Sequence, residues 1–274
     1  MFNNLFGLIG FPLGHSYSPM IHRAIFKYTE IKGDYMLHQI NSREIRHFLK
    51  TLKIRGISGI NVTIPYKQLV IPYMDKISCE ALKIGAVNTI KPDSTGLSGY
   101  NTDYKGFTDT LERNSIKVAG GNVLILGDGG SARTVYTCMS DLQASTIYMA
   151  TRKKTDEVQN MFDKAKIITY EDVYDLNSLK LTVNCTPVGM YPNNEESPLN
   201  ESRIPPMDAL VDLIYNPAKT RLMKTVEKKC GRVVNGLYML VSQAVAAQEI
   251  WMDKKIDTEI TSKVYEEVKM MCTF

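Results

Sequence analysis

The stretch V-L-I-L-G-D-G-G-S-A-R-T-V, Val123–Val135, decides the reading of the chain. A continuous apolar run, Val123–Gly127, gives way to Gly127, Gly129 and Ala132 in a G-x-G-x-x-A pattern. A helical pattern follows at once, with Ala132, Val135, Tyr136, Met139 and Leu142 on one face. Buried strand, glycine turn and helix start are the context in which such a loop binds a dinucleotide. Gly127 permits the tight turn, Gly129 lets a pyrophosphate approach the backbone, and Ala132 allows close helix–strand packing. Free N–H groups at the helix start then bind phosphate. A glycine-rich turn without a ligand is the alternative.

About 20 residues further on, a NAD site places an acid on the ribose 2′-hydroxyl. Here the second strand, Thr146–Thr151, runs into Thr151-Arg152-Lys153-Lys154, with no acid until Asp156. A basic cluster there suits a 2′-phosphate, so the expected cofactor is NADP. A solvated basic loop is the plainer reading.

Outward from this loop, the apolar runs Leu5–Gly10, Tyr35–Ile40 and Ile57–Ile64 read as strands. Helical stripes follow, with Met20, Ile21, Ala24, Ile25 and Tyr28 on one and Ile45, Phe48, Leu49 and Leu52 on another. Strand and helix in alternation predict parallel α/β sheets with helices on both faces. The loop stands mid-chain. Residues 1–104 are therefore expected to form a substrate-binding and catalytic α/β domain, and 105–235 a Rossmann-like doubly wound domain. The helical tail 236–274, with Ile260, Val264, Val268 and Met271 on one stripe, is expected to pack back on the first. The cleft between two such domains is the default ligand site.

The chain has 274 residues, and about 150 per domain gives roughly two domains. Hydrophobic residues at 44% and charged residues at 23% exclude a disordered or fibrous chain. The net charge of +4 is scattered, so nucleic acid is not an expected partner. Cys79, Cys138, Cys185, Cys230 and Cys272 show no C-x-x-C pair and read as buried thiols in a reducing compartment. The start MFNNLFGLIG lacks signal-peptide features, and no apolar run approaches the ~18 residues that span a bilayer. A cytoplasmic protein without membrane partners is expected, as monomer or homodimer. The histidines His15, His22, His38 and His47 have no metal-ligand spacing and read as structural or surface residues.

Several polar residues stand where chemistry could be done. Ser16 and Ser18, two apart, would face one way in an extended segment, although Ser18 before Pro19 also reads as a helix N-cap. Asn61 and Thr63 share one strand face, and Lys67 follows Pro65. Polar side chains at the carboxyl end of an apolar strand mark a site in an open α/β sheet, whereas Lys67 alone would read as a solvated lysine. Asn88 follows a helical stretch ending near Ile84, Asp103 stands at a helix start, and Gln243 lies within the helical segment Leu237–Trp251.

Taken together, the segments resemble the shikimate dehydrogenase family across nearly the whole chain. The matches keep the family's order: H-S-Y-S-P (His15–Pro19), N-V-T-I-P-Y-K (Asn61–Lys67), G-A-V-N-T (Gly85–Thr89) and N-T-D-Y-K-G (Asn101–Gly106). After the glycine loop come N-C-T-P-V-G-M-Y-P (Asn184–Pro192), D-L-I-Y-N-P (Asp212–Pro217) and G-L-Y-M-L-V-S-Q-A (Gly236–Ala244). The resemblance implies NADP-dependent interconversion of shikimate and 3-dehydroshikimate, a step of chorismate and aromatic amino-acid biosynthesis. It implies Lys67 and Asp103 as the catalytic pair. Ser16, Ser18, Thr63 and Tyr215 would take the substrate carboxylate, and Asn61, Asn88, Gln243 and Asp103 the ring hydroxyls. Gly127, Asp128, Gly129, Gly130, Ser131, Ala132, Thr151, Arg152 and Lys153 match cofactor contacts, and Leu213, Gly236 and Met239 match residues near the nicotinamide. Two positions depart from the family's pattern: Asp128 replaces a small neutral residue, and Thr151 replaces Asn. Two other readings share the fold, a quinate/shikimate dehydrogenase using NAD and a non-catalytic NADP-binding sensor. The intact Lys67–Asp103 pair argues against the sensor.

Overall fold

The computed structural model describes residues 4–14, 16–229 and 231–272. His15, Cys230 and the start of the MFNN segment, all read above from sequence, lie outside the described residues. The chain forms two compact units. One takes in the residues up to Gly106 and those from Leu240 onward, the other Phe107–Met239.

The first unit contains β1 (Asn4–Gly10), α1 (Ser18–Thr29), β2 (Gly33–Gln39), α2 (Ile45–Thr51) and β3 (Ile57–Val62). β4 (Lys76–Ile77), α3 (Cys79–Ile84), β5 (Thr89–Asp93) and β6 (Gly96–Tyr100) follow, and α4 (Thr102–Arg113) begins in it. Its sheet has the order β2-β1-β3-β5-β6-β4. β1 pairs in parallel with β2 and β3, but β5 runs antiparallel to both β3 and β6. The sheet is therefore mixed, where strand–helix alternation predicted a parallel one. The reason is local. Asp93 Oδ1 accepts from the Thr95 N–H at 2.7 Å and from its hydroxyl at 2.6 Å. That closes a turn of two residues, which can join only antiparallel strands. After β3, moreover, a short 3₁₀ turn at Ile71–Tyr73 stands in place of a crossover helix.

Apolar residues cover both faces of this sheet. Ile9, Ile45, Phe48, Leu49, Ile60 and Val62 pack on one side, and Phe6, Leu8, Phe26, Tyr35, Ala247 and Trp251 on the other. Trp251 stacks on Phe6 with ring centroids 4.9 Å apart and donates its indole N–H to the Ile90 carbonyl at 3.0 Å. Its polar tip is thus satisfied inside an apolar layer, as burial of an indole requires.

The second unit holds β7 (Asn122–Leu126), α5 (Gly130–Asp141), β8 (Thr146–Ala150), α6 (Asp156–Met161), β9 (Lys166–Ile168), β10 (Leu179–Asn184), β11 (Met207–Asp212), α7 (Arg221–Lys228) and β12 (Arg232–Asn235). All six strands are parallel, in the order β12-β11-β10-β7-β8-β9. This is the doubly wound arrangement, with its direction of winding reversed between β7 and β10, the place where such sheets bind ligands. Buried on both faces, β7 reads as a near-continuous apolar run, whereas β10 alternates, with Lys180 exposed and Thr182 and Asn184 buried. The chain returns to the first unit within α8 (Leu237–Met252) and ends in α9 (Thr258–Met271). α9 packs on α1, with Lys27 paired to Glu267 at 2.7 Å. Met271, placed on the apolar stripe of α9, is exposed because the helix stops there.

Cys138 and Cys272 are buried thiols, whereas Cys79 is exposed in the first turn of α3. His22 is fully buried and stacks on Tyr35 at 4.0 Å, and burial lowers its pKa to about 3. Among the described residues, no helix is long and apolar enough to cross a membrane.

Candidate active site

Lys67 and Asp103 meet in the first unit. Lys67 Nζ lies 2.6 Å from Asp103 Oδ2, with 31% and 19% of the two side chains exposed. The backbone fixes both. The Lys67 carbonyl accepts from Val87 N–H at 2.8 Å, and Asp103 N–H donates to Asn101 Oδ1 at 3.1 Å in the first turn of α4. Asn101 is anchored in turn on the Ala86 carbonyl at 2.9 Å. The pair thus stands where β3, β5, β6 and α4 come together.

Beside it runs a buried polar network. Asn61, at the end of β3, donates through Nδ2 to the Asn88 carbonyl (3.2 Å) and to Thr89 Oγ1 (3.0 Å), and accepts at Oδ1 from the Tyr35 hydroxyl (2.8 Å). Both N–H groups of Asn61 are therefore engaged within the protein. Asn88 is held differently. Its Oδ1 accepts from the Thr89 hydroxyl (2.9 Å) and the Thr102 N–H (2.8 Å), and Thr102 Oγ1 lies 3.2 Å away. The Thr89 hydroxyl and the Thr102 N–H, two donors on one oxygen, set the amide so that its NH₂ group faces away from them. Thr102 Oγ1 also lies 3.4 Å from Gln243 Oε1, and Gln243 Nε2 donates to the Leu240 carbonyl at 2.9 Å. The structure therefore brings Asn61, Asn88 and Gln243 into one network. Tyr35, Thr89 and Thr102 link them, and no local motif marks those three.

At the start of α1 the expected cap is absent. Ser18 is the first helical residue, and Tyr17 occupies the N-cap with helical backbone angles and makes no side-chain cap bond. Tyr17 turns the segment, so Ser16 and Ser18 are not neighbours on an extended strand. Instead Ser16 Oγ accepts from the Ser18 N–H at 3.3 Å. The Tyr35 phenol is pushed up chiefly by burial, with the Ser18 side chain opposing. Thr63 lies just past β3, half-buried, its N–H on the Ile9 carbonyl at 2.9 Å.

The second unit builds a different site. Gly127 follows β7 with φ +95°, a conformation that L side chains rarely adopt, and a Cβ there would lie 2.9 Å from Thr186 Cγ2. A Cβ on Gly129 or Gly130 would meet nothing within 4 Å. Gly129 is the N-cap of α5 and offers no side-chain acceptor to the first turn. Ser131 is exposed on that turn and Ala132 is fully buried against the sheet. Open space before uncapped N–H groups on a twelve-residue helix fits a diphosphate.

A cavity of about 510 Å³ adjoins this loop, lined by Gly127, Asp128, Gly129, Arg152, Tyr170 and Thr186 among others. Thr186 is set by an Asx turn in which Asn184 Oδ1 accepts its N–H at 3.1 Å and its hydroxyl at 2.7 Å. Thr151 is buried just after β8, and its hydroxyl donates to Asp128 Oδ2 at 2.6 Å. The segment after β8 contains no acid in sequence, yet the fold brings two carboxylates to it, Asp128 on Thr151 and Asp172 on Lys154 at 2.9 Å. Arg152 and Lys153 are exposed there.

Leu213, Tyr215, Gly236 and Met239 also belong to the second unit. A Cβ on Gly236 would lie 2.0 Å from the Leu213 carbonyl oxygen, so only glycine lets these segments approach as they do. The loop that carries Leu213 hangs on Asp212, a fully buried carboxylate bonded by Asn184 (3.0 Å), the Ile214 N–H (3.1 Å) and Thr220 (2.7 Å). Burial raises its pKa to about 6 against these three bonds. Below about pH 4 the folded and unfolded chains both carry this proton; between there and about pH 6 only the folded chain keeps it. Stability from Asp212 therefore falls as pH rises across that window, by about 3 kcal/mol at 1.36 kcal/mol per unit. Asp212→Asn should remove this dependence. Urea unfolding near pH 4 and pH 7 should show the variant gaining on the wild type at the higher pH, and an unchanged difference would refute the assignment.

An α/β chain with a dinucleotide-type loop in one unit and a lysine–carboxylate pair in the other has the layout of a dinucleotide-dependent oxidoreductase. Residues 8–90 match the family model described as the shikimate dehydrogenase substrate binding domain. The NADP(+) shikimate dehydrogenase of Clostridium beijerinckii is 40% identical over 260 residues, covering 95% of this chain and 96% of that one. Among solved structures, a chorismate mutase/shikimate 5-dehydrogenase fusion protein from Clostridium acetobutylicum superposes with a TM-score of 0.93 at 39% identity over 99% of both chains. Shikimate 5-dehydrogenase from Thermus thermophilus, in complex with NADP(H) and shikimate, gives a TM-score of 0.86 at 28% identity, covering 97% of this chain and 99% of that one. This chain belongs to the shikimate dehydrogenase family.

Proposed function

We propose that the chain catalyses the reversible, NADP-dependent reduction of 3-dehydroshikimate to shikimate, in the cytoplasm. The observation that carries this reading is the 2.6 Å contact between Lys67 and Asp103 beside a buried network of amides and hydroxyls. Oxidising a secondary alcohol needs a base for the hydroxyl proton and an acceptor for hydride. Lys67 takes that proton at Nζ, with Asp103 orienting the nitrogen. In the reverse direction the Lys67 ammonium stabilises charge growing on the carbonyl oxygen and returns the proton. Ser16, Ser18 and Thr63 serve the substrate carboxylate. Asn88 donates through the NH₂ group opposite the oxygen held by Thr89 and Thr102, Gln243 donates the N–H not spent on Leu240, and Asn61 accepts at Oδ1. The loop Gly127–Ala132 holds the pyrophosphate, with Arg152 and Lys153 on the 2′-phosphate. Bound NADP supplies hydride acceptance and return at its nicotinamide ring.

The direct experiment is a single turnover with 3-dehydroshikimate and NADPH carrying deuterium at the transferable nicotinamide position. The product should be shikimate with one deuterium on its new alcohol carbon, read by mass spectrometry. No labelled shikimate from folded, NADPH-binding protein would overturn the proposal.

A further inference from the structure

Asp128 stands between the first two glycines of the loop, but its side chain turns out of it. Its carboxylate is drawn to the end of β8, where the buried Thr151 hydroxyl donates to Oδ2 at 2.6 Å. The same hydroxyl is within 3.2 Å of the Lys153 carbonyl and 3.4 Å of the Lys153 N–H, so Thr151 is fixed in turn by the segment that carries the basic residues. Arg152 and Asp128 line one cavity, together with Tyr170. Both charges act on the Tyr170 phenol, which is pushed up to about 12, chiefly by burial and then by Asp128, with Arg152 opposing. A carboxylate and a guanidinium thus face the same small volume at the carboxyl end of the second strand of a doubly wound sheet.

That is where the ribose of a bound dinucleotide lies, and the two groups want different things there. A carboxylate accepts hydrogen bonds from a 2′-hydroxyl and repels a 2′-phosphate, whereas a guanidinium pairs with the phosphate. Strands of this type ordinarily end in one or the other. Here the acid comes from a different strand–helix loop and is pinned by Thr151, so it cannot swing away without breaking a part-buried hydrogen bond.

We propose that Asp128 is a specificity-determining residue at the ribose end of the cofactor site, where it holds down the preference for the 2′-phosphate that Arg152 provides. The inference rests on the proposed NADP-dependent function. It assigns Asp128 to the ribose and not to the pyrophosphate, so its removal must act unequally on NADP and NAD.

The test is calorimetric titration of NADP and of NAD into the wild type, Asp128→Asn and Asp128→Ala at low and high salt. Asp128→Asn keeps an acceptor for the Thr151 hydroxyl and guards against a loop that merely collapses. Both variants should bind NADP about 10-fold more tightly, through loss of a like charge beside the phosphate, with the gain shrinking as salt screens it. NAD should change little or weaken, so the NADP/NAD affinity ratio rises. Equal shifts for both cofactors, or no shift in either, would overturn the inference. A wild type that binds NADP but whose variants keep its ratio refutes this assignment alone; a wild type that binds neither cofactor refutes the proposed function.

Discussion

Lys67→Ala should lower kcat for shikimate oxidation by roughly 10²- to 10⁴-fold, the usual loss when a positioned acid–base group is removed. KM for shikimate should move little, because the substrate is held by other side chains. Lys67 Nζ makes its contact with Asp103 while 31% of the side chain stays exposed, so its truncation leaves no buried cavity. Steady-state kinetics at saturating cofactor will measure the effect, and an unchanged melting temperature will show that the loss is chemical. Near-normal kcat in the folded variant would end the role assigned to Lys67.

Arg152→Ala should weaken NADP about 10- to 100-fold and leave NAD nearly unchanged. Charge-assisted hydrogen bonds contribute roughly 1.5–3 kcal/mol each, which converts to that range. A guanidinium can bond a phosphate at two points and stack on the adenine, which an ammonium cannot, so Lys153→Ala should cost less. Lys154 is already committed to Asp172 at 2.9 Å. Calorimetric titration of both cofactors distinguishes the cases, and equal losses for NADP and NAD would show that Arg152 does not read the 2′-phosphate.

What could be read in sequence follows from how local each feature is. The glycine loop is legible because strand, turn and helix start lie within one short stretch, each with its own residue preferences. The second sheet is legible for the same reason repeated. The opening strands of the first sheet alternate with helices, a pattern that predicts a parallel sheet. The signal against it, Asp93-Ser94-Thr95-Gly96 between two short strands, is a turn signature that a search for strand–helix periodicity passes over. Contacts distant in sequence leave no trace in periodicity or spacing, and the Lys67–Asp103 pair is legible only through the family resemblance. Thr151 and Asp128 are 23 residues apart, Lys67 and Asp103 36, and Asn61 and Thr89 28. No spacing rule links such positions, so the carboxylate on Thr151 and the linking hydroxyls of Thr89 and Thr102 emerge only from the fold. Ser18 shows the opposite error. Its place before Pro19 is a sound cap signature, but the helix begins one residue earlier than that signature requires.

The central claim is that Lys67 and Asp103 act as one catalytic unit, and a double-mutant cycle on kcat tests it most directly. Asp103→Asn removes the charge that orients Lys67 and should itself slow turnover, while Lys67→Ala removes the acid–base group altogether. Groups that act as a unit are strongly non-additive. The double variant is therefore expected to be scarcely slower than Lys67→Ala alone. Losses that multiply across the cycle would show two independent residues, and would contradict the account.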